Sequence, residues 1–227
     1  MKKTVLMLTA AIALSLPAQG FAQFGGLNPL GAAKDKLGLG GSGGSSAASD
    51  PDGFLQNATL STKNVMISAA LLAQAVTDRT QMVSRKAQID ALQNAQSIGE
   101  LNAHTADFKK DMAVLNERKD LSADVSAAYQ ASDKKQKDLI SVAVGNLAIG
   151  LARDVKLADQ APGMVSSASG NPQMISRVGQ LKTAGSLLGL QVKGLGGVAK
   201  SLPALMTAAK VRGPDAAETS EPRAVAL

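Results

Sequence analysis

Between Pro172 and Met206 the apolar and small residues recur at steps of four and three without a skip: Met174, Val178, Leu181, Gly185, Leu188, Val192, Leu195, Ala199, Leu202 and Met206. Alternating steps of that kind give a period of roughly 3.5 residues, which keeps one seam of a helix against a partner helix. The same stretch carries Gly185, Gly189, Gly194, Gly196 and Gly197. Each weakens an isolated helix by about 1 kcal/mol relative to Ala. A helix of this composition needs close neighbours, and the rest of the chain is expected to supply them.

Composition agrees with a helical answer. Apolar residues make up 45% of the 227 and aromatic residues only 2%, with no Trp. A core must therefore be built from Ala, Leu, Val, Ile and Met, which suits helices better than a sandwich of β-branched and aromatic strands. The absence of Cys excludes disulfides, thiolate metal sites and cysteine nucleophiles.

Residues 1–22 read as a secretory signal peptide. Lys2 and Lys3 precede the apolar run Val5 to Leu16, and Gly20-Phe21-Ala22 offers small residues where a signal peptidase reads them. This style of leader points to export into a Gram-negative periplasm, with secretion beyond it left open. Lys2 and Lys3 leave with the leader, so the net charge falls from +6 to +4. That excess is too small to argue for nucleic-acid binding. Residues 23–49, rich in Gly and Ser, read as a flexible linker.

The folded part is expected over 50–212. Asp50-Pro51 is a helix start, and a first helix is expected over about 52–95, with Thr77 to Thr80 as the place where it can break. Ser97 caps a second helix with Glu100 at the capping-box position. A third begins at Asp120 or Ser122 and carries the uncharged run Leu139 to Ala152, 14 residues long. That run is too short to span a bilayer, so it reads as a central core helix. A loop is expected over Gln160 to Pro172. The glycine-rich helix follows, capped by Asn171, kinked or interrupted at Pro203 and ended by Gly213-Pro214. Residues 213–227 read as a disordered tail. The expected fold is an elongated antiparallel bundle of about four long helices.

Candidate chemistry is sparse. Glu100, His104, Asp107 and Asp111 recur at steps of four, three and four, which on one continuous helix aligns a His with three carboxylates, a set able to hold a divalent metal. This is the alternative reading; a solvent-facing stripe explains the same spacing. The six methionines beyond the leader are scattered singly, as core filling requires. Ser132 and Lys135 lie three apart, but in a charge-dense stretch where no lysine pKa would be depressed. No nucleophile elbow or phosphate-binding glycine loop occurs. The chain is expected to be no enzyme and to use no cofactor.

Charge distribution is more informative. From Gln160 to Pro214 there is no acidic residue, yet Arg177, Lys182, Lys193, Lys200, Lys210 and Arg212 are present. Lys182, Lys193 and Lys200 project within about 20° of one another at 100° per residue on an uninterrupted helix. The leading expectation is a non-enzymatic periplasmic binding protein. Arg177, Lys182, Lys193 and Lys200, with the seam residues Leu188, Val192 and Leu195, would meet another envelope protein, a membrane surface or a lipid-like ligand. Self-association through Ala- and Gly-rich seams is a further expectation.

Overall fold

The computed structural model describes residues 50–212 together with Val225 and Leu227. These residues are all-helical, with no strand among them. The expected signal peptide and linker lie outside the described residues.

Helix α1 spans Pro51–Asp78. Asp50 caps it by accepting from the Gly53 N–H at 2.9 Å, and Pro51 supplies the first-turn φ. Its middle is buried on all sides: Val65, Met66, Ile67, Ala69, Ala70, Leu71 and Leu72 lose essentially all contact with solvent. Asp78 ends it, turning its carboxylate onto Thr80 N at 3.0 Å. A 3-10 segment follows over Arg79–Arg85, and then α2 over Lys86–Asn94. The first helix therefore breaks where Thr77 to Thr80 allow it.

The second helix is also two. Helix α3 is Ile98–Asn102 and α4 is Thr105–Asn116, with His104 outside helical geometry at φ −92° and ψ 7°. Ser97 caps α3 as expected, and the Glu100 carboxylate reaches back to Gln96 N at 2.8 Å. The third divides as well. Helix α5, Leu121–Gln130, is capped by Asp120, and α6, Lys134–Ser169, by Asp133. Asp133 and Gln136 form a reciprocal capping box, a strong start signal inside what reads as one continuous helix.

Two expectations are corrected at the proline positions. Gln160 to Pro172 is not a loop: α6 runs through Pro162 to Ser169. A helix-interior proline costs about 3 kcal/mol. Here Leu157, Ala161, Met164 and Ala168 bury the core side of the same turns, and that packing offsets it. After a 3-10 turn over Pro172–Arg177, capped by Asn171, the glycine-rich stretch forms α7, Val178–Gly194, and α8, Gly196–Ala208. Its break falls at Leu195 (φ −106°, ψ 11°), while Pro203 stays inside α8. The helix ends before Gly213. Lys210, at φ 55°, closes a Schellman motif with Val211 N–H on Met206 O and Lys210 N–H on Thr207 O.

Helix α1 packs along α6, α6 against α7, and α8 against α5 and α6; α1 also meets α4 and α7. The core is thus centred on α1 as much as on the Leu139–Ala152 run of α6. The tail expected to be disordered contributes at its far end: Val225 is 7% exposed within the core, and its carbonyl accepts from Gln93 Nε2 at 3.5 Å. No helix among the described residues is long and apolar enough to cross a membrane.

Candidate functional site

The glycine-rich seam is sealed by its own chain. Leu188 and Leu195 are 0% exposed, and Val192 is partly buried against the same core. As surface residues for a partner, Leu188 and Leu195 are therefore corrected to core residues. The reason is that α7 lies across α1 and α6, whose apolar sides meet its seam. Only some of its glycines serve close approach. A Cβ at Gly194 would collide with Met112, and the Gly194 carbonyl accepts from Asn116 Nδ2 at 2.6 Å, which pins the α7–α8 break onto α4. Gly179 and Gly189 face open space.

The basic residues stay outside. Arg177, Lys182, Lys193 and Lys200 are exposed. Arg177 is engaged within the chain, 3.0 Å from Asp52 in the first turn of α1. Lys193 lies in the last turn of α7. The break at Leu195 puts Lys200 on α8, so the common direction computed for one helix holds for Lys182 and Lys193 alone. Lys182 and Lys200 form no ion pair with any described residue.

The His and carboxylate stripe is taken apart. Its spacing needs one continuous helix, and the chain leaves helical geometry at His104. Glu100 is spent on the cap of α3, where the Gln96 N–H and then Ser97 hold its carboxyl below the usual range. Asp107 pairs with Lys110 at 3.1 Å on the surface. Asp111 is buried, 3.0 Å from Arg85 and 3.2 Å from Gln88 Nε2; burial pushes its carboxyl up, opposed by Arg85 and Gln88. Among the described residues no group of three or more His, Cys, Asp or Glu side chains is placed to share a metal ion. Ser132, just past α5, turns its hydroxyl back onto Ala128 O at 2.6 Å.

The structure instead assembles a polar layer in the core. Ser61, Thr62, Asn64 and Ser68 of α1, Asn146 and Asp154 of α6 and Gln191 of α7 are all fully buried. Gln191 Nε2 donates to Thr62 Oγ1 at 3.0 Å, joining α7 to α1. On the other side, Ser61 Oγ lies 2.8 Å from Gly150 O and 2.6 Å from Asp154 Oδ1. The hydroxyl has one proton for two oxygens, and the carbonyl can only accept. A proton on Asp154 completes both contacts. Burial pushes the Asp154 carboxyl up to about 7, with Ser61 opposing. Asp154 Oδ2, both polar atoms of Asn64, and Gln191 Oε1 find no protein partner. Gly150 makes the approach of α1 and α6 possible: a Cβ there would stand 2.6 Å from Val65 Cγ2 and 3.2 Å from Ser61 O.

A signal for this layer does exist in the sequence. Asn146, Gly150 and Asp154 recur at steps of four along α6, and Ser61, Asn64 and Ser68 at steps of three and four on α1. Polar residues on that spacing in a helix buried all round must meet inside the protein. Compared with known proteins, the chain matches no family model, no curated protein and no solved structure.

Proposed function

We propose that this chain is a non-enzymatic periplasmic binding protein whose exposed lysines on α7 and α8 engage an acidic surface of another envelope protein. One observation carries the reading: Lys182 and Lys200 stand exposed with no ion pair to any described residue, on the part of the chain from Gln160 to Pro214 that holds no acid. Lys193, exposed on the same side of α7 as Lys182, extends the positive potential. Such a field speeds encounter with an acidic partner and selects against basic ones. A membrane surface fits less well. A helix that lies in a lipid interface needs a free apolar side, whereas Leu181, Leu188, Leu195 and Leu202 are committed to the core. The helical stretches, though segmented, serve in this reading as an antiparallel bundle that holds these lysines in place.

The test is photo-cross-linking in intact cells from positions 182 and 200, with charge variants of the other lysine. Capture that survives Lys→Arg and is lost with Lys→Glu supports the reading. Capture indifferent to charge reversal, in a protein that still folds, defeats it.

A further inference from the structure

We propose that the Ser61–Asp154 contact is a proton-operated latch between α1 and α6: closed while the carboxyl holds its proton, and loosened when that proton leaves for solvent. The geometry sets the two states. With the acid protonated, Asp154 donates to Ser61 and Ser61 donates to Gly150 O, so the carboxyl proton and the hydroxyl proton each have an acceptor. With the acid ionised, the single hydroxyl proton of Ser61 must choose between a carboxylate and a carbonyl. The carboxylate is then a buried charge held by one donor, with Oδ2 facing no partner. A buried charge so poorly paired is costly, and admitting water by parting the helices relieves it.

Among the described residues nothing else steadies the ionised form. The elements packed on α6 are α1, α5, α7, α8 and the Pro172–Arg177 turn, and no charged side chain of theirs acts on Asp154; burial and Ser61 alone do. Arg153, next to it on α6, is half-buried and feels burial only, without coupling to the carboxyl. The latch is also local. Ser61, Asn64, Val65 and Gly150 meet within about one turn of each helix, at a point where the approach leaves no room for a Cβ on residue 150.

Hydrogen exchange of the full chain, corrected for the intrinsic pH dependence of amide exchange, tests this between pH 5 and pH 8. By local opening, amides around 58–66 and 147–158 should lose protection on the order of a hundredfold as pH rises, with smaller change among the locally opening amides of α4 and α5. Asp154→Asn keeps a donor toward Ser61 but cannot ionise, and its exchange should be flat over the same range. Infrared or carbon-13 titration of the wild-type carboxyl, which needs no variant, should find it protonated at pH 5 and titrating near neutrality. An Asp154 already ionised at pH 5, unchanged protection in those segments, or an equal loss among the locally opening amides of every helix would each overturn the latch.

Discussion

Substituting Ala for Gly has opposite signs at two positions of this chain, and the structure says which is which. At Gly150 a Cβ would lie 2.6 Å from Val65 Cγ2, 3.1 Å from Asn64 Cβ and 3.2 Å from Ser61 O. Val65 is completely buried and stiff at χ1, and Ser61 O belongs to the backbone, so neither can step aside. Overpacking of this kind costs about 1–3 kcal/mol. Parting the helices also stretches the 2.8 Å bond from Ser61 to Gly150 O, a loss of about 1 kcal/mol. The gain in helix propensity returns about 1 kcal/mol. The net expectation for Gly150→Ala is a loss of about 2 kcal/mol, or roughly 4–8 °C in Tm for a chain of this size. Gly189 lies in the same kind of helix but faces open space. There the propensity gain stands alone, and Gly189→Ala should stabilise by up to about 1 kcal/mol. Urea denaturation of the two variants beside the wild type measures both. A Gly150→Ala protein as stable as the wild type, or a Gly189→Ala protein weakened to the same degree as Gly150→Ala, would refute the assignment of Gly150 as the close-approach point.

Stability should fall from acid toward neutral pH. Asp154 holds its proton in the folded state up to about 7 but releases it near 3.8 when unfolded. The folded chain thus binds more protons between those values, and stability declines by about 2–3 kcal/mol from pH 5 to pH 8, levelling above the folded value. Asp111, also raised by burial, acts in the same direction, whereas Glu100 and Asp120 are lowered and lose their contribution only in more acid solution. Denaturation series at the two pH values should show that slope in the wild type and a much smaller one in Asp154→Asn; equal slopes would contradict it. Lys210 occupies the left-handed position of a Schellman motif that glycine fills without strain, so Lys210→Gly should stabilise by about 1 kcal/mol, read by the same denaturation.

The helical class, the caps and the seam were legible because each rests on short-range chemistry. Asp50, Ser97, Asp120 and Asn171 cap helices where a side-chain oxygen can reach the next free N–H. Leu181, Leu188, Leu195, Ala199 and Leu202 are buried as a period of three and four requires. The breaks at His104 and Leu195 are different. Neither residue is a breaker by propensity, although Gly194, Gly196 and Gly197 flank Leu195; the helices on either side have different neighbours, α3 meeting α7 as well as α1, and α8 meeting α5. Pro162 misled in the opposite sense, since packing of Met164 and Ala168 outweighs the missing bond. The stripe Glu100, His104, Asp107 and Asp111 failed with the helix it presupposed. In the glycine-rich stretch Gly194 presses on Met112, but the glycine whose added Cβ would meet another helix's backbone is Gly150, on α6, while Gly179 and Gly189 touch nothing. Which glycine is crowded depends on the partner helix, and a single strand of sequence does not name it. The buried layer escaped for a related reason: Ser61, Asn64 and Asp154 look like surface residues until α6 is laid on α1.

The claim on which the functional account turns is that the seam is used up inside the chain and the lysines outside it are held by a partner. Lysine acylation footprinting, run on the purified protein and again in intact cells, measures this directly. Lys182 and Lys200 should react as readily as the exposed Lys110 in the purified protein and be selectively protected in cells. Equal reactivity of all three lysines in both settings would contradict the account.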